Sequence, residues 1–286
     1  MNDEKYKFKK GIYIAIGILI IVAAILMLIF GLTLDSLNDK VYIIISIVLF
    51  ALVIPYYFLA AYLINDLKDK FKELVIGDAF TSRHFLYYSR QRWLNEKIKY
   101  IITRNEFESL NYYKANDTFE FKANDLVVGS IRDVQFRSMD YKYYTEQLNL
   151  KKYGRVYSLN LRSDNNFKLV ITKDDYSTSL NKIDLNINGY NFYTNNNDLS
   201  NKYILKDKVE ENISKIDCYG SIFIEISNGS LYLIIDGIKQ SFDITGNRTY
   251  NDISEDVERE IFIINELINS FKFDDPKPKI KPLKIK

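Results

Sequence analysis

The chain has 286 residues, a formal net charge of +2, one cysteine and one histidine. A single cysteine excludes a disulfide framework, and one of each excludes multi-cysteine and His-cluster metal sites. Charged residues at 27% and aromatics at 15% exclude a disordered chain. A charge of +2 gives no global drive toward nucleic acid, which is therefore not expected as a partner.

The leader MNDEKYKFKK is followed by two runs without a charged side chain, residues 11–34 and 41–64. Each exceeds the ~20 residues that a helix needs to cross a hydrocarbon core, so the sequence predicts a transmembrane hairpin. The first run ends in Leu32-Thr33-Leu34 and is too long for a signal-peptide core, which argues against cleavage. Pro55 falls inside the second run, where a bilayer tolerates it. Lysines flank the pair asymmetrically: Lys5, Lys7, Lys9 and Lys10 before it, Lys68, Lys70 and Lys72 after it, and only Lys40 between. The positive-inside rule then places both termini in the cytoplasm of a two-span cell-membrane protein, with Asp35–Asp39 outside.

Residues 65–275 read as one α+β domain, mainly antiparallel sheet with packed helices. Leu67, Phe71, Leu74 and Val75 share a helical face that extends the second span or lies along the membrane. Alternation at Tyr157, Leu159 and Leu161, then at Phe167, Leu169 and Ile171, predicts a hairpin across Asp164-Asn165-Asn166. Ile183, Leu185 and Ile187 mark a further strand, and Leu205, Val209, Ile213 and Ile216 a helix. The run SIFIEIS-NG-SLYLIID is a second hairpin about Asn228-Gly229. A last helix, 254–271, carries Val257, Ile261, Ile264, Ile268 and Phe271 on one stripe.

Residues 276–286 alternate Pro276, Pro278 and Pro282 with Lys277, Lys279, Lys281, Lys284 and Lys286. This tail is expected to stay extended, and its lysines are either candidate contacts to an anionic bilayer surface or a solubilising charge.

The order of these features resembles a bacterial family known as the domain of unknown function 3137. The stretches that carry the likeness are DLKDKFKELVI, ITRNEFESLNYY, NDLVVGSIRDVQF and SIFIEISNGSLYLIID with the helix after it. Within them, Asn105-Glu106-Phe107 leads to Tyr112-Tyr113, and Asp125–Gly129 precedes Phe136–Ser138. The chain departs from the family pattern at Arg137-Ser138-Met139-Asp140, where a serine–glutamate pair is expected. The resemblance implies two membrane helices and a cytoplasmic α+β domain, and supplies no activity.

No catalytic, cofactor or metal constellation is expected. His84 has neither a nucleophile elbow nor a second histidine near it. Cys218 follows a helix C-terminus, which does not lower a thiol pKa, and is expected to be buried. Tyr112, Tyr113, Tyr141, Tyr143 and Tyr144 are ordinary strand and core residues or, functionally, a candidate partner surface. The expected role is a non-enzymatic membrane-anchored interaction module with a protein partner, and oligomers are allowed. The alternative is a ligand-sensing effector whose hairpin oligomerises or perturbs the bilayer.

Overall fold

The computed structural model describes residues 3–33, 39–84, 87–89, 102–112, 124–132, 134–145, 150–161, 166–174, 179–187, 189–195, 204, 206–238, 242 and 250–272. The chain divides into two units, Met1–Val75 and Ile76–Lys286.

The first unit is a helical hairpin. Its helices are α1 (Asp3–Thr33) and the greater part of α2, a helix that runs unbroken from Asp39 through Pro55 to His84. The segment after the second run is thus a continuation of that helix. Both helices are long and apolar enough to cross a membrane. Covered positions on α1 recur at Tyr6, Lys10, Tyr13, Gly17, Ile20, Ala24, Met27 and Gly31. On α2 they recur at Tyr42, Ser46, Leu49, Val53, Tyr56, Ala60 and Leu63. Alternating steps of four and three make a seven-residue repeat, the pattern of a left-handed helix pair. Gly17, Ala24 and Gly31 stand one repeat apart, and such small residues let membrane helices approach closely. Ser46 Oγ donates to the Ala24 carbonyl at 2.9 Å and Tyr56 Oη to the Tyr13 carbonyl at 2.5 Å. Beyond the apolar runs, the Tyr6 and Phe71 rings stack at 5.2 Å.

The second unit is built on a nine-stranded sheet, antiparallel at every described pairing. In chain order the strands are β1 (Tyr87–Ser89), β2 (Asn124–Ile131), β3 (Val134–Thr145), β4 (Leu150–Asn160) and β5 (Leu169–Thr172). They are followed by β6 (Asn181–Ile187), β7 (Tyr190–Thr194), β8 (Ser221–Ser227) and β9 (Ser230–Asp236). Across the sheet they run β1-β2-β3-β4-β9-β8-β5-β7-β6. Three helices accompany them: α3 (Arg104–Glu108), α4 (Lys206–Asp217) and α5 (Tyr250–Ser270).

The expected β8–β9 hairpin forms, with Asn228 at φ 51° and Gly229 at φ 73° supplying its two left-handed positions. The hairpin expected from 156–161 to 167–171 does not. β5 pairs with β8 and β7, and β9 and β8 lie between β4 and β5. Their nearly all-buried strands, with five consecutive buried residues in each, belong at the sheet centre and displace β5 outward.

Each face of the sheet has its own cover. On one, α4 and α5 pack together, with Asn212 Nδ2 donating to Ser270 Oγ at 3.0 Å. On the other, Ile102, Phe107 and Leu110 close over Met139, Tyr141, Val156, Phe223 and Ile234. Residues 102–112 hold this place through a capping box. Thr103 Oγ1 accepts from the Glu106 amide at 3.1 Å, and Glu106 accepts from the Thr103 amide at 2.9 Å.

Candidate functional site

Side chains alternate across a strand, so a charged residue in phase with apolar neighbours is carried into the core. Arg155 is such a residue, in phase with Tyr157 and Leu159 on β4. The β3–β4 register sets Asp140 opposite Arg155 and Ser138 opposite Tyr157. From the helical layer, α5 contributes Glu260, which shares its buried stripe with Ile253, Val257 and Ile264.

Arg155 donates from Nε to Glu260 Oε1 and Oε2 at 2.9 and 2.8 Å, and from Nη2 to Oε1 at 2.6 Å. Nη2 also reaches Ser138 Oγ at 2.9 Å, and Nη1 reaches Asp140 Oδ1 at 3.0 Å. The last acceptor is the Asp125 carbonyl, 3.2 Å from Nη1. Asp125 has φ 51° at a break in the β2–β3 register, a bulge that re-aims this carbonyl toward the arginine. Tyr157 Oη donates to Glu260 Oε2 at 2.9 Å, and Ser138 Oγ donates to Oε1. The Phe242 ring lies 5.1 Å from the guanidinium carbon.

The side chains of Arg155 and Glu260 are 0% exposed. Burial opposes the Arg155 charge, but Glu260 and then Asp140 more than offset it and hold the guanidinium ionised. Burial, reinforced by Glu260, pushes the Tyr157 hydroxyl well above its usual range, so it stays a donor. Asp140 behaves differently. Its desolvation outweighs the pull of Arg155 and, with Asp125 and Glu260 adding repulsion, its pKa is pushed up to about 7. Its Oδ2 has no hydrogen-bond partner among the described residues. Chemically, the node is a sealed charge lock between sheet and helix. A substrate would have to open the core to reach it.

The opposite face carries a second polar set. Arg137, Ser158 and Tyr232 are successive cross-strand neighbours on β3, β4 and β9. Arg137 Nη2 pairs with Glu106, the capping residue of α3, and Tyr232 Oη donates to the same carboxylate at 3.3 Å. Burial works to raise the Glu106 carboxyl, but the Thr103 amide and Arg137 outweigh it and hold it below the usual carboxylate range. Further along, the Asn111 amide and Nδ2 donate to Glu225 at 2.8 and 3.1 Å. Desolvation still leaves Glu225 above its ordinary value.

The tyrosines singled out from sequence are divided by the fold. Tyr141 is 0% exposed, and it and the half-buried Tyr112 both donate to Asp236. Tyr141 belongs to the domain's interior and is withdrawn from a partner surface, whereas Tyr112 is packed against the same core and keeps part of its surface exposed. Tyr143 and Tyr144 lie on β3 beyond the last β2 pair, and Tyr113 lies outside the described residues. So do all five tail lysines, Lys277, Lys279, Lys281, Lys284 and Lys286.

Cys218 is exposed, correcting the expectation of burial. It falls in the turn after α4, where Ile216 takes the inward position and Cys218 Sγ faces out to donate to the Lys215 carbonyl. His84 is the last residue of α2. No group of three or more metal-ligating side chains occurs among the described residues.

The Arg155–Glu260 lock was not read from the sequence. Its signal was available: a charged residue in the apolar phase of a strand and a carboxylate in the apolar stripe of a helix.

No family model matches the chain, and no similar curated protein or solved structure was found.

Proposed function

We propose that the chain is a membrane-anchored, non-enzymatic interaction module, with its α+β unit under the inner face of a cell membrane and a protein as its partner. The observation that carries the anchoring is the outward face of the hairpin. Ile18, Leu19, Ile54 and Phe58 are 56%, 65%, 65% and 68% exposed, on helices long enough to span a bilayer. In water that surface would drive aggregation; in lipid it is solvated. The lysine asymmetry about the two helices supports an orientation with both termini cytoplasmic. The two-helix-plus-sheet plan is also that of the domain of unknown function 3137 family, and we place the chain there as part of the same proposal.

Alkaline carbonate washing of membranes should leave the full chain in the pellet. A cytoplasm-only reporter fused after Lys286 should be active, and a reporter active only outside should be silent. In-cell crosslinking of the full chain should recover one protein reproducibly. Carbonate extraction, an active outside reporter, or crosslinks to itself alone together with leakage of vesicles would overturn the reading. The last of these outcomes would favour the effector alternative.

A further inference from the structure

β3 and β4 continue past the sheet. The β2 ladder meets β3 for the last time at Asn124↔Asp140, and β9 meets β4 for the last time at Gly154↔Asp236. Beyond those pairs β3 and β4 have no strand partner but each other among the described residues, from Lys142↔Tyr153 through Tyr143↔Lys152 and Tyr144↔Lys151 to Thr145↔Leu150. The parting has a local cause. Gly237, at φ 91°, donates its amide to the Tyr153 carbonyl at 2.9 Å and turns the chain away from the ladder. Four further pairs project about 13 Å at the usual strand rise.

The composition of this ribbon is one-sided. Its eight paired residues hold three lysines and three tyrosines and no carboxylate, and each lysine stands across from a tyrosine. A two-stranded ribbon is marginal by itself and is stabilised by what it lies against.

We propose that the 142–145/150–153 ribbon is a second membrane contact, which docks the α+β unit on an anionic lipid surface. Lysines are drawn to anionic headgroups, and tyrosines favour headgroup depth, where ring and hydroxyl are both satisfied. The apolar helices of the same chain hold a bilayer at high effective concentration, so weak contacts suffice. This inference rests on the anchoring proposed above, but not on the orientation or on a protein partner.

The test uses the full chain in vesicles of phosphatidylcholine, with or without phosphatidylglycerol, carrying a headgroup-depth nitroxide quencher. A fluorophore is placed at Thr145→Cys in a Cys218→Ser background, or at Asn160→Cys in the same background as the reference position, since Asn160 is exposed at the opposite end of β4. Flotation with the vesicles reports anchoring separately from docking. The Thr145→Cys label should be quenched in anionic vesicles, released by high salt, and weakly quenched in neutral ones, with the Asn160→Cys label little affected. Replacing Lys142, Lys151 and Lys152 by Gln should lower the docked-to-undocked ratio about fivefold per lysine, on the order of a hundredfold together. Floating protein whose Thr145→Cys label ignores lipid charge, or whose two labels respond alike, overturns the ribbon contact and leaves the anchoring intact. Protein that fails to float overturns both. Unchanged quenching in the triple variant also overturns the proposal, since the ribbon lysines would then not be the contact.

Discussion

Arg155 and Glu260 are 105 residues apart in the chain and form a buried ion pair with three N–H···O contacts, all at 2.9 Å or shorter. The pair fixes where α5 sits on the sheet. Hydrophobic stripes alone would let a helix slide by a turn, whereas a guanidinium facing a carboxylate has one low-energy register.

Removing one partner leaves the other charged in the core. Glu260→Ala should therefore destabilise the second unit by about 3–5 kcal/mol. The double variant Arg155→Met/Glu260→Leu should lose much less, because no unpaired charge remains. Urea unfolding of the full chain in nanodiscs, followed by near-ultraviolet circular dichroism, measures both. Equal losses would contradict the lock.

Asp140 makes stability depend on pH. Its folded pKa of about 7 lies above the ordinary carboxylate value, so the folded state holds the proton after the unfolded state has lost it. The contribution is fully present below about pH 4, declines as pH rises toward 7 and is gone above it. Between pH 5 and 8 the wild type should lose on the order of 2 kcal/mol through this group. Asp140→Asn mimics the neutral acid and should flatten that portion of the profile. Glu225, also raised by burial, contributes in the same direction, so the difference between wild type and Asp140→Asn is the quantity to read.

Glu106 serves two partners. Glu106→Gln keeps an acceptor for the Thr103 amide but loses the charge facing Arg137, which is 20% exposed, and should cost less than about 1 kcal/mol. Glu106→Ala loses the cap as well and should cost about 1–2 kcal/mol. Amide exchange in residues 104–110 should accelerate in Glu106→Ala and change little in Glu106→Gln.

Gly154 is the position where Tyr141 crosses β4 to reach Asp236. A β-carbon there would lie 2.1 Å from the Ile235 carbonyl oxygen and 2.7 Å from the Tyr141 hydroxyl. Gly154→Ala should cost about 3 kcal/mol or more by overpacking against backbone. Gly189, at φ 80° with open space around it, should lose only about 1 kcal/mol on the same change. Thermal unfolding of the two variants side by side would rank them.

Local chemistry already determines much of this protein. Unbroken apolar length marks the two helices of the hairpin, Asn228-Gly229 marks the β8–β9 turn, and the Val257–Phe271 stripe marks α5. Each is written within a few turns or strand residues, because periodicity and turn dihedrals are short-range properties. Periodicity says which face of a segment is apolar, but not what it meets. Phe167–Ile171 alternates as a hairpin partner of β4 should, yet β5 sits beyond β9 and β8, since the two most apolar strands take the middle of the sheet. Residue type points Cys218 inward, and the turn after α4 puts it outside. The pairing of Arg155 with Glu260 was decided only when β4 and α5 were packed face to face. Burial of a charge is tolerable solely where its counter-charge arrives, and that is settled by tertiary structure.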